Sequence, residues 1–296
     1  MGFVEKEFEI KDEKVLDFLV KKVGFNLREA KRAIDRGRVS VNGKRVTQKS
    51  QKATGKLKCI MFEPNGYGLK PIFETTHFAI FDKPSGVAIH PKKLANTKSL
   101  LDDVRALWGN DANLVHRLDK ETSGLVMASK NKFAESILKR AFQDKDIKKS
   151  YLALVKGRLD KEMTIKKPIA VNKDENIKVK VIIHPEGKES VTIVKPIKIF
   201  DNYTLVECDL LTGRQHQIRV HLFSIGHPIV GDPLYGVDND FADRYLNKLV
   251  TEKERIAKTG ANRLMLHSYK LEFEFMNNKY IIKSDSFFEV LKNFIN

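Results

Sequence analysis

Only two cysteines, Cys59 and Cys208, occur in 296 residues, and they lie far apart. Neither a disulfide framework nor a cysteine-based zinc site is expected, and a reducing cytoplasm fits best. No apolar run is long enough to span a bilayer, so no membrane association is expected. The opening stretch MGFVEKEFEIKDEK is charged and lacks a signal-peptide core. Lys6 stands where a myristoylated chain carries Ser or Thr. The chain has no G-x-G-x-x-G after a strand and no Gly-Lys-Ser/Thr loop, so nucleotide cofactors have no cradle. HRLD, ending at Asp119, stands without the D-F-G and Gly-rich loop of a kinase. Two lone cysteines cannot supply the Pro-Cys-x-x-Cys of a zinc deaminase. His216, His221 and His227 lack the i, i+4 spacing of a helical zinc pair, so we expect no metal and read them as structural or RNA-facing.

What the chain has in excess is positive charge: 54 Lys and Arg against 38 Asp and Glu, a formal net charge of +16. That surplus suits a polyanion, chiefly nucleic acid, although a lysine-rich surface would give the same sum. Residues 11–64 read as a small α/β module. EKVLDFLVKKVG sets Val15, Leu16, Leu19 and Val23 at helical spacing, with Gly24 as the stop. In NLREAKRAIDRG, Asn26 is the N-cap, Glu29 follows three residues on, and Leu27, Ala30 and Ile34 share a face. Gly37 ends that helix, and RVSVNGKRV forms a hairpin turning at Asn42-Gly43. Arg28, Lys31, Arg32, Arg36, Arg38, Lys44 and Arg45 crowd this helix–hairpin unit, which suits a phosphate backbone and equally a solvated face.

The stretch REAKRAIDRGRVSVNGKRV resembles the small RNA-binding module of ribosomal small-subunit protein four, some tRNA synthetases and several RNA-modifying enzymes. Past Val46 the likeness fades: the family's usual Gly-Asp pair is replaced by ATGKLKCIMFEP. EPNGYGLKP, from Glu63 to Pro71, reads as a linker.

From residue 72 to 296 the texture is that of an α+β domain on a largely antiparallel sheet. HFAIFDK, GLVMASK, YLALVKG, VTIVKPIKIF and YTLVECDLLTG are strand candidates bounded by turn formers. KFAESILKRAFQ is a helix with Phe133, Ile137 and Ala141 on one face, and SFFEVLKNFIN is another. Two polar insertions stand out, residues 92–99 and the charged excursion 237–262, the second of a length that often serves as a lid or partner contact.

Asp119 lies in HRLDKETSGLVMASK, where Thr122-Ser123-Gly124 reads as a turn with Gly124 giving backbone freedom. Asp119 is either a solvated loop carboxylate or the centre of a site. In LLTGRQHQIRVHLFSIGHPIVGDPLYG, Ile218, Leu222 and Ile225 share a helix face that Gly226 and Pro228 end, so Arg219 points elsewhere, as a fixed counter-ion for a carboxylate would. KSYLALVKG puts Tyr151 at the start of an apolar strand.

Those three segments, with FAIFDKPSGVAIHP and RLMLHSYKLEF, are similar in order and spacing to the motifs of RNA pseudouridine synthases of the RluA family. With the basic module in front, the likeness is to the ribosomal-RNA branch typified by RluC and RluD. The resemblance implies a pseudouridine synthase catalytic fold with Asp119 as the essential residue, Tyr151 at the base, Arg219 paired with Asp119, and Arg117 displacing the flipped uridine. Gln215 departs from the Thr or Ser commoner at its position and would tune the loop. An isomerisation needs no redox carrier, ATP or metal, so no cofactor is expected. The implied partner is RNA, chiefly ribosomal RNA or a pre-ribosomal particle, and the expected form is a cytoplasmic monomer. Two other readings stay open: a non-catalytic RNA-binding or ribosome-assembly protein of the same fold, and a tRNA-directed or riboflavin-pathway relative.

Overall fold

Strand-forming sequence begins at Val4, ahead of the expected start at residue 11. The computed structural model describes residues 4–61, 63, 66–91, 97–172, 177 and 179–295. They fall into two compact units, one within Met1–Tyr67 together with Pro91, Thr97 and Lys98, and one formed by Gly68–His90 with Ser99–Asn296.

The first unit runs β1 (Val4–Lys14), α1 (Val15–Lys21), α2 (Leu27–Asp35), β2 (Val39–Val41), β3 (Lys44–Arg45) and β4 (Lys52–Met61), with sheet order β1-β4-β2-β3. β1 was not anticipated because it buries only Ile10 and alternates charged residues elsewhere. It pairs along β4, the strand into which ATGKLKCIM folds despite its missing Gly-Asp pair. Asn26 and Glu29 form the reciprocal capping box. Ala30, Ala33 and Ile34 fill the inner face of α2, whereas Leu27 is 52% exposed, one residue too early in the first turn to reach the core. Asn42 (φ 49°) and Gly43 (φ 78°) supply the two left-handed residues of a tight hairpin. The Asn42 side chain also accepts from Lys56 N–H and donates to Thr54 C=O, fastening the turn to β4. Arg28, Lys31, Arg32, Arg36, Lys44 and Arg45 are exposed, and Arg38 is half-buried.

The second unit begins with β5 (Phe73–Glu74), β6 (Phe78–Lys83), α3 (Leu100–Trp108), β7 (Asn113–Leu114), β8 (Ser123–Ser129) and α4 (Lys132–Gln143). It continues through β9 (Lys148–Lys156), β10 (Met163–Lys166), β11 (Ile169–Val171), β12 (Val181–Ile183), β13 (Val191–Ile199), β14 (Tyr203–Leu210) and α5 (Gln217–Phe223). The charged excursion folds as α6 (Asn239–Leu246) and α7 (Glu252–Thr259), followed by β15 (Leu266–Phe275), β16 (Asn278–Lys283) and α8 (Ser286–Ile295). Ten strands form one sheet in the order β10-β13-β14-β9-β15-β8-β6-β5, with β16 on β15 and β7 on β8. Among the described residues, only the β8–β15 pairing in this sheet is parallel. Two details differ from expectation. On α4 the buried face holds Ala134 and Leu138, while Phe133 lies 54% exposed beside the His77 ring. Of Thr122-Ser123-Gly124, only Thr122 belongs to the turn, its N–H reaching Asp119 C=O; Ser123 and Gly124 already open β8. Most of the insertion expected at 92–99, residues 92–96, lies outside the described residues.

Gly124 matters for closeness. Its φ is +103°, and a Cβ there would stand 2.3 Å from the Ser268 carbonyl oxygen. Ser268 pairs with Gly124 on one side and with Tyr151 on the other, so this approach brings β9 and the end of the Asp119 loop to one place. Gly124→Ala should therefore cost about 1–3 kcal/mol or more, from left-handed backbone strain with an overlap added. Urea denaturation of the variant against the parent measures it.

Candidate active site

The segment between β7 and β8 is held largely by bonds to its backbone carbonyls and by the His116 side chain. Lys83, at the end of an apolar strand, is fully buried and donates to the carbonyls of Pro84, Val87 and Lys120, each at 3.0 Å. Three acceptors match the three protons of an ammonium group, while burial pulls its pKa down to about 7 against the opposing charges of Glu121 and Asp119. Ser85 Oγ donates to Glu121 C=O at 2.6 Å, and Gly86 N–H donates to Lys120 C=O. His116 stacks on Phe142 and accepts the Met127 N–H through Nε2. The KPSG turn and His116 thus clamp the chain on both sides of Asp119.

A second loop comes from Thr212–His216, ahead of α5. Gln217, 2% exposed, organises it: Oε1 accepts from Thr212 Oγ1 and Arg214 N–H, and Nε2 donates to Val191 C=O and Thr192 Oγ1. Gln215 Nε2 reaches Val179 C=O. His216 caps α5 in the left-handed region (φ 52°), a strained backbone for a non-glycine residue. The strain aims its ring inward: Nδ1 lies 3.1 Å from Tyr235 Oη, and Nε2 lies 3.6 Å from Asp119 Oδ2. Burial first, and then the Arg219 charge, push its pKa down to about 4, so the imidazole is neutral at pH 7.

Arg219 reaches Asp119 less closely than expected. Its Nη1 is 3.5 Å from Asp119 Oδ2, whereas Nε and Nη2 grip the two oxygens of Asp232 at 2.8 Å each. The planar fork fits one carboxylate in two-pronged fashion, and Asp232 has taken that place. Asp232 is also fixed by the N–H groups of Leu234 and Tyr235. Burial opposes both charges, yet their pairing holds Asp232 below and Arg219 above its ordinary pKa. The Tyr235 ring packs 5.2 Å from the guanidinium carbon.

Asp119, Tyr151, Arg219 and Arg117 therefore line one pocket, with His216, Arg214 and Gln217. Burial, with the nearby Asp119 charge, raises the pKa of the Tyr151 phenol. The pocket shares Arg117, Asp119, Tyr151 and Arg214 with a cleft of about 970 Å³. That cleft adds Lys145, Lys148, Lys149, Lys270 and Phe142, against only Asp209 and Glu272 as further carboxylates. Cations and an aromatic ring along a groove suit an RNA strand. His221 and His227 point elsewhere, to Thr192 and Lys167 and to the Lys156 carbonyl.

Similarity to known proteins matches this geometry. A family model described as RNA pseudouridylate synthase covers residues 77–224, and one described as the S4 domain covers residues 16–56. A protein of Helicobacter pylori named as an uncharacterised RNA pseudouridine synthase is 43% identical over 290 residues, 96% of each chain. The chain belongs to the RNA pseudouridine synthase family.

Within that family it carries the RluA-type motifs behind an S4 module. The ribosomal large subunit pseudouridine synthase D of Nitrosomonas europaea is 40% identical over 178 residues, 57% of this synthase and 50% of its own length. Among solved structures, human RNA pseudouridylate synthase domain containing 1 superposes with a TM-score of 0.59 at 26% identity, covering 74% of this synthase and 85% of the human chain.

Sequence reasoning missed four residues of the synthase's site. Lys83 and Asp232 carried one available signal, a charge set between an apolar run and a Pro-containing turn in IFDKPSG and IVGDPLYG. Gln217 carried none beyond proximity to Arg219, and His216, expected to be structural or RNA-facing, was not placed beside Asp119.

Two outcomes follow from the charges. Asp232→Asn leaves Arg219 without its buried partner and should destabilise the fold by about 3–5 kcal/mol, read by urea denaturation. Burial, with the Lys149 charge, lowers the His116 pKa to about 3. An unfolded imidazole titrates near 6.5, so between about pH 6.5 and 3 the unfolded chain binds a proton that the folded chain does not. Stability should fall as pH drops through that window. His116→Gln, which keeps an acceptor for Met127, should flatten the slope in denaturation curves taken across it.

Proposed function

We propose that this RNA pseudouridine synthase isomerises specific uridines of structured RNA, chiefly large-subunit ribosomal RNA, with Asp119 as the essential catalytic residue. The supporting observation is the placement of Asp119: a carboxylate whose side-chain polar contacts among the described residues are long, at 3.5 and 3.6 Å, facing a basic cleft from a loop braced through its backbone. The ribosomal-RNA target rests on the likeness to a protein named for that substrate.

In the reaction the bond from ribose carbon 1′ to uracil N1 breaks, the base turns, carbon 1′ bonds to carbon 5, the carbon-5 proton leaves, and N1 takes up a proton. Atoms and electrons balance with no carrier. Whether Asp119 attacks the sugar, adds to the base or removes a ribose proton, each route needs its carboxylate aimed into the pocket. Arg219 supplies a fixed positive edge beside it. Tyr151 packs on the uracil and receives the carbon-5 proton. With its pKa raised by burial, the phenol must pass its own proton to solvent in the pocket in the same step. Arg117, exposed at the pocket mouth, takes the place of the flipped uridine in the stack. The exposed cations of the first unit hold RNA by its phosphates, and we take the working form to be a monomer in a reducing, cytoplasmic compartment.

Asp119→Asn should abolish tritium release from carbon-5-labelled uridine in RNA while circular dichroism shows an unchanged fold; near-normal release would remove Asp119 from its role. Mapping pseudouridines in cells with and without the gene decides ribosomal against transfer RNA. Lys31→Ala with Arg32→Ala should weaken RNA binding and make log affinity against log salt shallower by about 1 to 2. An unchanged slope would mean that these cations contact no phosphate.

A further inference from the structure

The excursion α6–α7 reaches the catalytic loop through one side chain. Arg255, on α7, donates from Nη2 to Glu121 Oε2 at 2.8 Å and to Gly231 C=O at 3.0 Å. Glu121 lies two residues after Asp119, and Gly231 lies one before Asp232. The guanidinium also packs 5.1 Å from the Tyr245 ring of α6, with Nη1 3.4 Å from Tyr245 Oη. α7 grips the Gly231–Asp232 loop again at its end, where Gly231 N–H donates to Thr259 C=O. Gly231 sits at φ +77° under the chain returning from the excursion, and a Cβ there would overlap the Arg263 carbonyl.

We infer that Arg255 is a positioning residue: it ties the Asp119 loop to the Asp232 loop, so that the gap between Asp119 and Arg219 is held from outside the pocket. Arg219 already touches both loops from within, but only through a 3.5 Å contact on the Asp119 side. That contact is too long to fix a loop. The tie through Glu121 is short and sheltered, with side chains 11% and 16% exposed, unlike the solvated ion pairs elsewhere on the surface. Burial works against the Glu121 charge, yet Arg255 prevails and keeps its pKa below the usual carboxylate value. Lys83 and Ser85 hold carbonyls of the same loop from the KPSG turn. Arg255 holds the Glu121 side chain from the excursion, and the loop is pinned between them. The inference rests on the reading of Asp119 as catalytic.

The test uses the full chain in single-turnover pseudouridine formation, with enzyme in excess over carbon-5-tritiated total RNA from cells lacking the gene. Arg255→Gln, Glu121→Gln, the double variant, Arg255→Lys and Asp119→Asn are compared. Arg255→Gln and Glu121→Gln should each lower the saturated rate by about tenfold or more, since a small displacement of a catalytic group is costly. The half-saturating enzyme concentration should stay within about twofold. The double variant should be no slower than the slower single, because both break one tie. Arg255→Lys, which keeps the charge but not the fork, should fall between parent and Arg255→Gln. A parental saturated rate in either folded single variant overturns the inference. So do multiplicative losses in the double, or a loss confined to half-saturation, which would make Arg255 an RNA contact. If Arg255→Gln does not fold, Glu121→Gln decides alone. Activity in Asp119→Asn would instead overturn the catalytic reading; an inactive Asp119→Asn beside fully active Arg255 and Glu121 variants would overturn only the positioning role.

Discussion

The fork between Arg219 and Asp232 sets the terms for everything around it. A guanidinium is planar, so two short bonds to one carboxylate fix its plane as well as its position. Its remaining Nη1 edge is then presented to Asp119 at a distance that attracts without engaging. A carboxylate held by two prongs has its lone pairs occupied. Asp119 keeps most of its own for a ligand, and it faces a positive edge already neutralised at depth by Asp232. The arrangement thereby divides the cation between two carboxylates: Asp232 makes the buried guanidinium tolerable, and Asp119 feels what is left of its field.

Around that fork, polar groups buried for structural reasons serve aim. Lys83 spends its three protons on carbonyls of two turns, and Gln217 spends its amide on two groups of its own loop and two of β13. Each is a satisfied buried polar group, so each resists displacement by the cost of leaving its partners unpaired. The strained His216 backbone is sustained by the same enclosure.

Much of this was legible in the chain itself. Apolar runs ended by turn formers located β6, β8, β9, β13 and β14, and Asn42-Gly43 located the hairpin, because local chemistry decides those elements. β1 was not legible, since its stability comes from pairing with a strand some fifty residues later and not from its own sparse apolar pattern. Asp119, Tyr151, Arg117 and Arg219 were brought to one pocket as the motifs implied. Arg219 does face Asp119, but its closer partner Asp232 was not anticipated, because two carboxylates compete for one fork and only the fold says which arrives squarely. On α2 and α4 the first residue of each expected stripe, Leu27 and Phe133, lies exposed while Ala30, Ile34, Ile137 and Ala141 pack inward: periodicity gives the stripe, but packing decides where it begins.

The sheet order adds a consequence about timing. β9 carries Tyr151 and β8 follows the Asp119 loop, but they are not neighbours; β15, Leu266–Phe275, lies between them and touches both. The two halves of the pocket are thus written early in the chain and joined near its end. A polypeptide still being synthesised holds Asp119, Tyr151 and Arg219 long before it holds the strand that places them together. Closing the sheet demands contacts across more than a hundred residues, a slow step in which the unpaired edges of β8 and β9 stand open. The enzyme gains its RNA-binding module first and its chemistry last, so a chain interrupted before β15 would retain its grip on RNA without the means to change it.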